Sequence, residues 1–273
     1  MRLIILLFIT FYFVSCSSQT SAEFINPSGK TLKDRIKAPH SFERINDTST
    51  TYDEFLRSLP LKPAGEKVYL YNGQLKNRQD VYDAVVDYDI GKKDLQQCAD
   101  AVMRIRAEYL YHSLQFSKIH FNFTNGVRAE FVNYAEGYRF NPKTNKWTKT
   151  AGVDYSYETF KKYLELVYTY AGSLSLSKEL VSVKNIKDIK PGDVFIKGGS
   201  PGHAVTVMDV VKNKLTGHIM FTIAQSYMPA QSIHILKNFN EPIMSPWYNV
   251  NFGNELKTPE WTFSKDELMR FKD

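Results

Sequence analysis

The sequence predicts an α+β domain, and three observations lead there. Helical spacing dominates the chain up to about residue 170, with the clearest helix opening near Asp94. Between Val194 and Leu236 the pattern changes to strand-length apolar segments broken by Gly, Pro and Asn. Helices first and an antiparallel sheet later is the α+β order. The 273 residues, 43% hydrophobic and 14% aromatic, suffice for one substantial core and exclude a mainly disordered chain. No internal repeat and no second low-complexity linker interrupts them.

At the N-terminus, Arg2 precedes the apolar run Leu3 to Val14, which ends at Ser15-Cys16-Ser17-Ser18. Crossing a bilayer takes about 20 apolar residues, so this run reads as a secretory signal. Cys16 directly after Ser15 resembles the lipobox of bacterial lipoproteins, which implies cleavage before Cys16, acylation of its sulfur and a membrane partner. Residues 1–15 are then a signal peptide, residues 16–30 a polar tether, and residues 31–273 a single domain. The formal charge of +6 is spread along the chain. With export it argues against a nucleic-acid partner and for a solvated surface near anionic lipid.

Within the domain, Tyr52 to Leu59 reads as a helix stopped by Pro60, and Lys67 to Tyr71 as a strand ending at Asn72-Gly73. Ala84 to Ile90 is a further strand. Asp94 as N-cap, with Gln97 three residues on, forms a capping box for a helix from Leu95 to Leu114. Ile119, Phe121 and Phe123 alternate as a strand, and Arg128 to Gly137 and Tyr157 to Tyr170 are helical. Strands follow at Val194 to Lys197, His203 to Val211, Gly217 to Tyr227 and Ser232 to Leu236, with a last helix from Ser264 to Phe271.

Centring the hairpin after His203 on Lys214 pairs Ala204 with Ala224, Thr206 with Thr222 and Met208 with Met220. It also places His203 opposite Gln225, where the amide orients the imidazole. A histidine with a polar orienter supplies two parts of a nucleophile–base–orienter set, although a strand-end histidine is also met for packing reasons alone. Cys98 lies near the start of the Asp94 helix, where the helix dipole favours a thiolate. It also shares a helix face with Ala101, Val102, Ile105 and Tyr109, as a small buried cysteine would. Both readings stay open on local grounds.

Other constellations are weaker. Gly198-Gly199-Ser200-Pro201-Gly202 fits G-x-S-x-G, but a strand follows where a serine elbow needs a helix. His120, His218 and His234 lack metal-ligand spacing, so no metal and no cofactor is expected. Asp193 and Glu130 have no partner carboxylate at useful spacing for glycosidase chemistry. Tyr227, Trp247, Tyr248 and Trp261 fit a ligand groove as well as a core.

A cysteine at a helix start, then PGDVF, GHAV and a polar residue one strand later, resembles the papain-like cell-wall endopeptidases of the NlpC type. The resemblance implies a papain-like core, with Cys98 as nucleophile, His203 as base and Gln225 as orienter. The chain departs in having Ala99-Asp100 after the cysteine and extra helices before the histidine. LYNG at Leu70, QQCADAVMRIRAEYLY at Gln96, IHFNFTNG at Ile119, GDVFIKGGSPGHAV at Gly192, AQSYMPAQ at Ala224 and SPWY at Ser245 resemble a second group. These are the bacteroidete lipoproteins classed as domain of unknown function 4846. The expectation is a thiol hydrolase, an amidase or endopeptidase, lipid-anchored in the cell envelope and acting on peptidoglycan peptide. A catalytically inactive lipoprotein of the same fold, binding wall peptide or glycan, is the alternative.

Overall fold

The computed structural model describes residues 23–46 and 51–272. Cys16 and the signal segment lie outside the described residues. Nine strands form one antiparallel sheet: β1 (Phe42–Arg44), β2 (Tyr82–Val85), β3 (Val181–Ser182), β4 (Val194–Lys197), β5 (His203–Asn213), β6 (Ile219–Gln225), β7 (His234–Leu236), β8 (Tyr248–Asn249) and β9 (Leu268–Arg270). Their order is β2-β7-β6-β5-β4-β9-β3, with β1 added to the far end of β5 and β8 to β6. The helices are α1 (Leu32–Arg35), α2 (Tyr52–Ser58), α3 (Cys98–His112), α4 (Phe131–Ala135), α5 (Tyr157–Tyr170) and α6 (Ser173–Glu179). Mixed helix and antiparallel sheet is the α+β class expected. Among the described residues no helix is long and apolar enough to cross a membrane.

The central strand β5 explains why the sheet has two cores. Residues 203–211 are all buried, so both faces are covered. Ala204, Met208, Val211, Met220 and Ala224 pack towards the helices. Val205, Val207, Val210, Phe221 and Ile223 pack against a second cluster closed by Leu256, Phe263 and Leu268. Small side chains at Ala204 and Ala224 leave room for α3, whose Ala99, Ala101 and Val102 are buried on the sheet.

The β5–β6 register differs from the size-matched one. Asn213 accepts from the N–H groups of Leu215 and Thr216, and Gly217 takes a φ of +70°. That turn chemistry pairs Met220 with Val211 and Thr222 with Asp209. A bulge at Met208 then brings Ala224 opposite Thr206, not Ala204. The displacement past the bulge is two residues, so His203 and Gln225 keep a common face as diagonal neighbours. The bulge also sets Asp209 between two arginines: Arg57 Nε at 2.8 Å and Arg44 Nε at 2.6 Å. These ion pairs fasten α2 and β1 to the middle of the sheet.

Several element bounds move for identifiable reasons. Phe24 is buried, and Arg35 donates to the Gly29 carbonyl at 2.9 Å, so residues 24–30 already pack with the fold. Residues 67–71 make only isolated bridges, Tyr69 to Leu75 and Leu70 to Gln231. The Asn125-Gly126 turn closes a ribbon of His120–Asn122 on Arg128–Glu130, and α4 starts only at Phe131. Ser264 caps a single turn, after which Leu268 pairs with Phe195 and the chain runs as β9 instead of a helix. Arg270 on that strand grips Asp193 of the PGD turn through two bonds, 2.6 and 2.8 Å. Asp193 also closes the turn by accepting the Lys190 N–H at 2.8 Å. The PGD aspartate is therefore a clasp between strands.

Candidate functional site

The sheet and α3 meet where β5 begins. Helix α3 starts at Cys98, three residues later than the Asp94 capping box suggested. Asp94 instead accepts the Ala230 N–H at 2.6 Å and the Gln97 side-chain amide at 3.1 Å, tying the approach loop to residues 226–231. Asp100 accepts the Gln97 N–H at 3.0 Å, which satisfies a donor at the helix end. The later start puts Cys98 at the first helical position.

Cys98 is 8% exposed, and the backbone N–H groups of Ala99, Ala204 and Cys98 itself lie near enough to its sulfur to favour the thiolate. The Ala204 amide belongs to the residue after His203, so the thiol lies beside the start of the histidine strand. These three donors favour a thiolate. Burial and, second, the Asp100 carboxyl outweigh them and push the thiol up to about 11. Dipole alone therefore does not set this thiol. Asp100 is itself raised by burial to about 8.

His203 and Gln225 are brought together as expected, with Nε2 and Oε1 2.9 Å apart and both residues 1% exposed. They face the second core, away from the body of α3. The imidazole is packed by Tyr227, Trp261 and Phe263, with ring centroids 4.8, 5.3 and 5.8 Å away. Burial lowers its pKa to about 4, against the opposing effect of the Gln225 bond. The Tyr227 phenol is raised by burial, then by the charges of Glu260 and Cys98. In the resting site both groups are neutral at pH 7.

Behind Gln225 stands a polar cluster that sequence patterns did not single out. Gln225 Nε2 donates to Glu260 Oε2 at 2.6 Å and lies 3.3 Å from His234 Nε2. Glu260 Oε1 accepts from Lys76 Nζ at 2.7 Å, an ion pair whose side chains are 12% and 6% exposed. Lys76 also sits 5.4 Å from the Tyr227 ring centroid. Glu260 and Lys76 are 184 residues apart with no motif around either, so only the fold joins them. Ser200 lies in the β4–β5 hairpin loop, between two strands. Gly202 permits that loop to close, since a Cβ there would lie 2.4 Å from the Gly199 carbonyl oxygen. Among the described residues no three His, Cys, Asp or Glu side chains form a metal-binding group.

The arrangement combines a thiol ringed by backbone donors with a neutral, hydrogen-bonded imidazole at the start of the adjacent strand. Chemically it can hold negative charge at sulfur and offer a base. Comparison with curated proteins and with solved structures finds no match. A family model described as "Domain of unknown function (4846)" matches residues 32–270, and the chain belongs to that family.

Proposed function

We propose that this protein is a lipid-anchored thiol hydrolase of the cell envelope that cleaves an amide bond in cell-wall peptide, on a papain-like core. One observation carries the reading: the Cys98 sulfur sits at the first position of α3 among three backbone N–H donors, one of them from the residue after His203. The order of parts, helix-start cysteine, then histidine strand, then amide strand, supports it as well.

In this reading His203 takes the thiol proton as the sulfur attacks the amide carbonyl. The Cys98 N–H stabilises the tetrahedral oxyanion. Collapse expels the amine, which leaves with the proton from His203. Water, deprotonated by the same imidazole, then hydrolyses the thioester and restores the thiol. Because both groups rest neutral, charge develops only in the transition state, and Gln225 holds the imidazolium as it forms. Acylation of Cys16 supplies the anchor.

Purified protein incubated with peptidoglycan fragments should release new amino groups, and Cys98→Ala and His203→Ala should abolish that release. Undiminished cleavage by Cys98→Ala overturns the reading. Acyl labelling in cells should disappear in Cys16→Ala. The second reading, a binder of wall peptide or glycan, is favoured by the raised thiol and by the cover of Tyr227 and Trp261 over His203. It predicts fragment binding without cleavage, unchanged in Cys98→Ala.

A further inference from the structure

The hydrogen bonds behind His203 determine which of its nitrogens carries the proton. A carboxylate oxygen only accepts, and Glu260 Oε2 is 2.6 Å from the Gln225 side chain. The group facing it is therefore the amide NH2, because the flipped amide would press two acceptor oxygens together. A second constraint agrees. His234 Nδ1 lies 2.8 Å from the Ser232 carbonyl oxygen and must donate to it. His234 Nε2 is then bare in the neutral ring and accepts the other Gln225 N–H. Both constraints turn Gln225 Oε1 towards His203 Nε2, 2.9 Å away, and that nitrogen must donate.

We propose that Glu260, held by Lys76, is a positioning residue that fixes the Gln225 amide and thereby keeps the His203 proton on Nε2, leaving Nδ1 as the base. The inference deepens the hydrolase reading by naming the basic atom, but its evidence is independent of any substrate. Lys76 completes the device: its ammonium pairs with the Glu260 carboxylate at 2.7 Å, and a carboxylate, which cannot donate, imposes one orientation on the amide. A glutamine at 260 could offer either an acceptor or a donor, and the bias would then rest on His234 Nε2 alone, across the longer 3.3 Å contact.

Nitrogen-15 NMR of the full folded protein at neutral pH tests this, with the His203 ring assigned by comparison with His203→Asn. In the wild type His203 should show a protonated Nε2 and a bare Nδ1; a proton on Nδ1 overturns the proposal without any variant. In Glu260→Gln the ring should become a mixture of tautomers, with the Nε2–H population falling from nearly complete and a resolved Nδ1–H form appearing. A folded Glu260→Gln that keeps the wild-type tautomer removes the role assigned to Glu260. A merely structural role would lower stability and leave the tautomer alone. Absence of hydrolysis, with these tautomers as described, sinks the hydrolase reading and leaves the positioning role standing.

Discussion

Alkylation of Cys98 across pH probes the resting site most simply. Thiol-reactive reagents attack the thiolate, so their rate follows the ionised fraction. Burial and the Asp100 carboxyl move this thiol from the usual 9.0 to about 11, against three N–H donors that pull the other way. A rise of two units lowers the thiolate fraction at neutral pH about 100-fold. Exposure of only 8% slows approach further. Iodoacetamide labelling, followed by peptide mass spectrometry of the Cys98 segment from pH 6 to 10, should therefore run at least about 100-fold slower at pH 7 than for a free thiol. The rate should climb about tenfold per pH unit without a plateau. His203→Asn should leave this profile unchanged, because the imidazole, lowered to about 4, is neutral throughout the range. A labelling step below pH 7 that disappears in His203→Asn would reveal a preformed thiolate–imidazolium pair. It would refute the argument that burial dominates.

Three further outcomes follow from the same structure. Asp209→Ala should lower stability by about 3–5 kcal/mol in urea unfolding, since it strips a buried partner from both Arg57 and Arg44; a change below about 1 kcal/mol would contradict this role. Trp247→Ala, which empties a fully buried site and frees the Lys37 carbonyl from the indole N–H, should cost about 3–5 kcal/mol by the same measurement. Asp100, raised from 3.8 to about 8, keeps its proton in the fold while the unfolded chain gives its proton up above about pH 4. The fold therefore loses up to about 1.4 kcal/mol per pH unit between pH 4 and 8. Asp100→Asn, which can still accept the Gln97 N–H, should be the more stable protein at pH 8 and fall less from pH 5; an unchanged pH slope would contradict the assignment.

Local signals were legible where local chemistry decides. Tyr157 to Tyr170 has bounds read directly from its spacing, because a helix closes its hydrogen bonds locally, and Val194 to Lys197 is bounded by the PGD turn before it and the glycine-rich loop after it. The His203–Gln225 pair was also legible, although the register that suggested it was not the one formed. Matching residue sizes across the hairpin ignored the Asn213 turn and the Met208 bulge, and the pair survived because a shift of two residues preserves the face. The C-terminal segment misled for the opposite reason: a helical pattern from Ser264 yields to strand pairing of Leu268 with Phe195 and to the Arg270–Asp193 clasp. Lys76 and Glu260 could not be read at all. Their meaning lies in a contact with Gln225, and nothing in the neighbouring sequence marks it.

The resting site also shows why a helix-start cysteine is an incomplete signal. The sequence position promised a helix dipole that favours a thiolate, and backbone N–H groups near the sulfur do pull that way. Burial, which position in the sequence does not reveal, reverses their net effect on the thiol.

The proposed role of Cys98 as nucleophile of an amide hydrolase is decided by acid-quenching the protein during incubation with cell-wall peptides and locating any adduct by mass spectrometry. An acyl group on Cys98 is expected, absent in Cys98→Ala together with peptide cleavage. Cleavage by Cys98→Ala at the wild-type rate, or neither adduct nor cleavage with peptide bound, would contradict it.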